Sequence, residues 1–184
     1  METVEELRYL VLAAQREGSR RLAEALRPLA VSPAQAEVVT VLRTAGRPLS
    51  VRELGELLVC ETGSPSRLTR SVVDAGWART VTDEADARVR RLELTEAGAG
   101  LAVAIRQIES AFHHALAATI SGSTADELVV TLRSLVEGSP AGRALARRRG
   151  LGGPAATTSH ERPRARPRPT STLGARRPGH LGPG

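Results

Sequence analysis

The stretch Ser50–Thr95, SVRELGELLVCETGSPSRLTRSVVDAGWARTVTDEADARVRRLELT, decides the fold. It opens on Ser50-Val51-Arg52-Glu53, a capping box in which the serine hydroxyl and the glutamate carboxylate each take up an N–H that the first turn of a helix leaves unbonded. Leu54, Leu57 and Leu58 follow on one face. A second helix begins in Glu61-Thr62-Gly63-Ser64-Pro65, where Thr62 or Ser64 can cap and Pro65 falls in the first turn, the one place a helix tolerates it. Its apolar positions are Leu68, Val72 and Val73, and Gly76 is placed to end it. Trp77-Ala78-Arg79-Thr80-Val81 and Val89-Arg90-Arg91-Leu92-Glu93-Leu94 then read as two strands joined by the loop Asp83–Arg88. The order helix, turn, helix, hairpin predicts a winged helix-turn-helix.

The polar face of the second helix carries short hydroxyls and arginines, the groups that bond phosphates and base edges in a major groove. On its own such a face reads more readily as a solvated helix surface. The arginine-bearing hairpin that follows makes DNA contact the better reading. The candidate contacts are Thr62, Ser64, Ser66, Arg67, Thr69 and Arg70 on the helix, with Arg88 and Arg90 on the wing.

At this point the sequence resembles the MarR family of multiple-antibiotic-resistance regulators. The residues that carry the likeness are Val31-Ser32-Pro33-Ala34-Gln35, Ser50-Val51-Arg52-Glu53-Leu54, Arg67-Leu68, Gly76-Trp77, Asp86-Ala87-Arg88 and Leu92-Glu93-Leu94-Thr95-Glu96-Ala97-Gly98. The likeness in helix order extends over roughly residues 3 to 139. It implies a mainly α fold: a winged helix-turn-helix with a two-stranded β wing, carried on long N- and C-terminal dimerisation helices. It also implies a homodimeric transcription regulator, a repressor released by a small aromatic or phenolic effector. By the same resemblance Arg88 matches the wing arginine that enters the minor groove, and Asp86 matches the aspartate that holds it. One departure stands out: Arg70 occupies a position where the family usually has an aspartate paired with the wing arginine. Either Asp86 alone orients Arg88, or Arg70 is an added DNA contact.

Around this unit the chain divides into a body and a tail. Helices are expected over about 3–27, where Val4, Leu7, Val11, Ala14, Leu22 and Leu26 recur at helical spacing, and from the Ser32-Pro33-Ala34-Gln35 cap to Gly46. After the wing a long helix is expected over about 96–120, and a final one over about 124–138 behind the box Thr124-Ala125-Asp126-Glu127. The DNA-reading lobe is thus about 32–95, within a domain spanning 1–139. Residues 140–184 hold seven Pro, eight Gly and ten Arg with few large aliphatics, a composition that cannot bury enough apolar surface to offset chain entropy, so disorder is expected throughout. Its arginines would attract phosphates without reading sequence, or serve no role at all.

Charge follows the same division. The net +6 separates into 16 Arg against 19 acids over residues 1–139, and ten Arg against Glu161 alone over 140–184. Residues 62–91 carry six Arg and four acids, a locally positive patch on an acidic body, as suits a protein that touches DNA at one end. All 26 basic residues are arginine, which a GC-rich coding bias accounts for. Aromatics make up 2%, so the core must be built from Leu, Val and Ala, and an effector pocket would be mainly aliphatic.

The remaining chemistry reads as structural. Cys60 rules out an intrachain disulfide and is read as a small buried hydrophobe at the turn, not an oxidant sensor. The adjacent His113 and His114 diverge by roughly 100° on a helix and cannot readily share a metal ion. No nucleophile–base pair, phosphate loop or cofactor motif appears, so neither an enzyme nor a cofactor is expected. The acidic start and the lack of a long apolar run predict a cytoplasmic protein with no membrane partner. The expected function is therefore a homodimeric, sequence-specific regulator bound to double-stranded DNA at a pseudo-palindromic operator, its half-sites roughly 34 Å apart. The alternative is a winged-helix protein-interaction scaffold that binds DNA only non-specifically.

Overall fold

A computed structural model describes residues 2–59, 64–83, 85–120 and 122–151 of the chain. The described residues form α1 (Thr3–Leu26), α2 (Pro33–Ala45), β1 (Leu49–Ser50), α3 (Val51–Gly55), α4 (Pro65–Asp74), β2 (Ala78–Thr82), β3 (Arg90–Leu94), α5 (Glu96–Ala117), α6 (Gly122–Val136) and α7 (Pro140–Leu151). The fold is mainly α with a winged helix-turn-helix, as the patterning predicted.

Both capping boxes around the lobe form. Ser32 Oγ accepts from the Gln35 N–H at 3.3 Å while Gln35 Oε1 accepts from the Ser32 N–H at 3.1 Å. Ser50 Oγ accepts from the Glu53 N–H at 3.2 Å and Glu53 returns the bond at 2.8 Å. Gly46, at φ 62°, ends α2 in the left-handed conformation that glycine adopts without steric cost.

The helix opened by Ser50 is shorter than the leucine pattern predicted. Regular α geometry stops at Gly55, and the Leu57 N–H reaches back to the Leu54 carbonyl at 2.9 Å. Leu57 and Leu58 are nonetheless buried, so the apolar face is continued by the turn. The wing also gains a strand that no pattern announced. The two-residue β1 pairs antiparallel with β3, Leu49 opposite Leu92 and Ser50 opposite Arg91, giving a sheet of order β1-β3-β2. A two-residue strand is too short to show alternation.

The core gathers Leu26 from α1, Val38, Val39 and Val41 from α2, Leu49, Leu54, Val72 and Ile105. Each such side chain contributes about 1.5–3 kcal/mol when removed from water. The join between wing and α5 is tighter still. A Cβ placed on Gly98 would lie 1.8 Å from the Trp77 carbonyl oxygen, so the first turn of α5 seats against the end of the α4–β2 connection only as glycine. Thr95 fastens the same corner, its hydroxyl donating to the Gly76 carbonyl at 2.7 Å and accepting from the Gly98 N–H at 3.1 Å.

Two expectations for the C-terminal third are corrected. α6 starts at Gly122, so Thr124 lies inside its first turn and not at its cap. Disorder from residue 140 onward does not hold for 140–151, which form α7. Ser139 Oγ accepts from the Gly142 N–H at 3.0 Å, and Pro140 takes the first helical position. The reason is a stripe of three residues at i, i+4 and i+7: Ala144 is buried, Arg148 is half-buried, and Leu151 packs against the core. The rest of the tail, 152–184, lies outside the described residues, as do Cys60 and Thr62.

Candidate nucleic-acid interface

The recognition helix α4 is positioned by its apolar side. Leu68 and Val72 are buried against the lobe, and Gln35 Nε2 on α2 donates to Ser71 Oγ at 3.2 Å. Its first residues then face solvent. Ser64 occupies the N-cap, although its side chain makes no capping bond, and Ser66, Arg67 and Arg70 are exposed. Neither arginine forms an ion pair among the described residues.

Thr69 does not join them. It is only 4% exposed, and its hydroxyl donates to the Ser66 carbonyl at 3.0 Å. Pro65, Thr69 and Val72 fall at i, i+4 and i+7, which turns the threonine inward with the apolar stripe, so its placement among the DNA-facing residues is corrected. The other helix candidate, Thr62, is not among the described residues.

The wing is the hairpin of β2 and β3, with Ala78 opposite Leu94 and Thr82 opposite Arg90. Asp83 organises its loop: one carboxylate oxygen accepts from the N–H groups of Ala85 and Asp86, both at 2.9 Å. Asp86 in turn accepts from the Arg88 backbone N–H at 2.9 Å, and the Arg88 guanidinium remains exposed without an ion-pair partner among the described residues. The support that Asp86 gives to Arg88 is thus to its backbone. Arg90 donates to Thr82 Oγ1 across the hairpin at 2.9 Å and stays exposed.

The residue that fixes the wing to the helix-turn-helix is Arg91, which the sequence reading passed over. The β1 pairing sets Arg91 opposite Ser50, and its guanidinium bonds Glu53 Oε2 at 2.5 Å and Asp83 Oδ2 on the wing loop. Glu53 therefore closes the α3 cap, receives Arg47 at 2.9 Å and anchors the wing. Desolvation pushes its carboxyl upward, but the Ser50 N–H and hydroxyl and the Arg47 guanidinium prevail and hold it down at about 2. The Asp83 carboxyl is likewise lowered, first by Arg91 and then by the loop N–H groups. The signal that could have found Arg91 was the capping glutamate itself, whose Oε2 keeps a lone pair to offer after it accepts the Ser50 N–H.

Two arginines line a cleft elsewhere. A cavity of about 370 Å³ opens between α2 and α5, lined by Thr40, Arg43, Thr44, Ala102 and Arg106.

Comparison with known proteins supports this geometry. Residues 31–98 match the family model of a winged helix DNA-binding domain. A mutant MarR from E. coli complexed with operator DNA is 23% identical, covers 74% of this chain and 99% of its own, and superposes with a TM-score of 0.65. The chain has the MarR fold. An organohalide-sensing transcriptional regulator, RdhR, in its 2,4-dichlorophenol-bound form shares that fold at 18% identity and a TM-score of 0.68, covering 76% of this chain and 83% of its own. MepR of S. aureus in a DNA-binding conformation follows at 17% and 0.61, covering 71% and 96%. No curated protein sequence matches the chain. In the MarR fold described here, α4 is the second helix of the helix-turn-helix and β2–β3 the wing. No helix among the described residues is long and apolar enough to cross a membrane.

Proposed function

We propose that the protein is a homodimeric, sequence-specific DNA-binding transcription regulator, with α4 entering the major groove and the wing the adjacent minor groove. The observation that carries this reading is the state of Arg67, Arg70 and Arg88. All three are exposed on the recognition helix and wing tip with no ion pair among the described residues, whereas Arg91 beside them is fully engaged in structure. Guanidinium groups left free on a groove-sized helix and hairpin are suited to phosphates and base edges. Ser64 and Ser66 add short donors at the helix start.

Dimerisation is supported by apolar side chains that one chain leaves in water. Val4, Leu7, Leu10 and Leu12 on α1 and Leu116 on α5 are exposed, as are Leu128, Val130 and Leu135 on α6. A groove of about 720 Å³ between α6 and α7, walled by Val129, Leu132, Val136 and Leu145, continues that surface. Patches of this extent mark an interface. Repression relieved by a small effector is part of the same reading. The cleft between α2 and α5, with Arg43 and Arg106 on opposite walls, suits a phenolate or carboxylate better than the aliphatic pocket the composition suggested. RdhR, solved with 2,4-dichlorophenol, shows one phenol bound within the same fold.

The test is selection of bound sites from a random DNA pool with the full chain at near-physiological salt. An inverted repeat with half-sites one helical turn apart is the expected product. Weak, uniform binding with no recovered motif would overturn the sequence-reading function and favour the protein-interaction scaffold.

A further inference from the structure

The described end of the turn after α3, at Val59, is held by a buried carboxylate. Glu37, on α2, is 6% exposed, and its Oε1 accepts from the Val59 N–H at 2.8 Å. Val59 lies five residues before Ser64, the N-cap of α4. The same oxygen receives the Arg148 guanidinium of α7 at 2.5 Å. One atom thus joins α7, the last described helix, to the backbone of the helix-turn-helix.

The surroundings make this contact more than a surface pair. Glu109 on α5 stands close enough to feel both Glu37 and Arg148. Burial pushes its carboxyl upward, and Glu37 adds to that push, while His113, Arg148 and a hydrogen bond from Thr40 act against it. Arg148 is ion-paired with Glu37, acts on Glu109 through its charge, and occupies the stripe of α7 between Ala144 and Leu151. Arg147, the neighbouring residue, reaches Glu56 at the end of α3 at 3.2 Å, but both groups are largely solvated and the pair contributes little. Removing Arg148 takes the ion-pair partner from a carboxylate only 6% exposed, a larger penalty than loss of the solvated Arg147–Glu56 pair.

We propose that α7 is a positioning element for DNA reading: Arg148 fixes the Glu37 carboxylate, and Glu37 fixes the turn that aims α4. The inference rests on the DNA-binding reading above only for its consequence. The hold of α7 on the turn is a property of the free protein. Arg148 and Glu37 are positioning residues; neither is assigned to touch DNA.

The experiment compares the full-length chain with Arg148→Ala, Arg148→Lys and Glu37→Gln, and with Arg149→Ala as the control, an exposed arginine that forms no ion pair among the described residues. Amide hydrogen exchange of Val59 is measured without DNA, and affinity is measured on the operator recovered by selection. Arg148→Ala should accelerate Val59 exchange and weaken operator binding, each about tenfold. Arg148→Lys should restore most of both. Glu37→Gln keeps an amide oxygen for Val59 but loses the charge that Arg148 seeks, so it should fall between wild type and Arg148→Ala. Arg149→Ala should change neither. Unchanged Val59 exchange in Arg148→Ala would overturn the proposal, as would faster exchange with operator affinity intact. So would an equal loss of protection throughout α2 and α5, which would mark a general loss of stability. If the wild-type chain selects no operator, the DNA-binding reading falls by itself, and Val59 exchange still decides whether α7 holds the turn.

Discussion

Glu53 bonds the Ser50 N–H and the guanidinium groups of Arg47 and Arg91 at once, so a residue that local sequence marks only as a cap also ties three segments together. Its carboxyl, held at about 2 against an ordinary 4.5, contributes stability that is fully present above pH 4.5 and is lost as pH falls toward 2. Thermal melts of Glu53→Gln should show a flatter loss of stability across that window than wild type, with some slope remaining from Asp83. Arg88 has the opposite character, since its guanidinium forms no ion pair among the described residues. Arg88→Ala should weaken operator binding by about 1–3 kcal/mol in an electrophoretic titration while leaving melting temperature and oligomeric state unchanged. What sequence showed at this scale was residue type, not direction. Arg67, Arg70 and Arg88 face solvent as their spacing implied, but Thr69 turns inward, because a β-branched hydroxyl next to Leu68 can satisfy itself on the preceding turn. Arg91 was invisible for a related reason: its partner Glu53 lies 38 residues away, and only the register of β1 on β3 brings them together.

The elements that sequence announced most clearly are those with their own start and stop signals. Ser32-Pro33 with Gln35, and Ser50 with Glu53, opened helices where expected, since a cap depends on four consecutive residues and on nothing distant. α7 carries a similar Ser-Pro opening at Ser139-Pro140, yet its weak apolar content hid it. A stripe of alanine, arginine and leucine reads as polar until α2 supplies a carboxylate for the arginine. Close packing between elements gives the sharpest expectation. Gly98→Ala drives a methyl into the Trp77 carbonyl, so α5 must lift from the wing corner. Its denaturant midpoint should fall by at least the roughly 1–3 kcal/mol of an overpacked site, and the wing should lose hydrogen-exchange protection with it.

At the scale of the whole molecule, α1 and α6 carry apolar rows that no other described residue covers. Leu10→Asp, at a side chain 59% exposed in the single chain, should leave the helical circular dichroism intact and shift sedimentation from dimer to monomer. Charge divides along another line. Residues 152–184 hold six of the arginines against Glu161. Deleting them should flatten the log–log salt dependence of non-specific DNA binding by as much as ~5, with operator preference retained. The cut belongs after Leu151 and not after residue 139, because α7 is part of the folded body. The span of that docking has a bearing on biosynthesis. Arg148 follows Glu37 by 111 residues, so at about 5–20 residues per second a nascent lobe waits on the order of 5–20 s for the cation its carboxylate requires. Until α7 is made, the Val59 turn of the polypeptide still on the ribosome lacks the hold that Arg148 lends to Glu37.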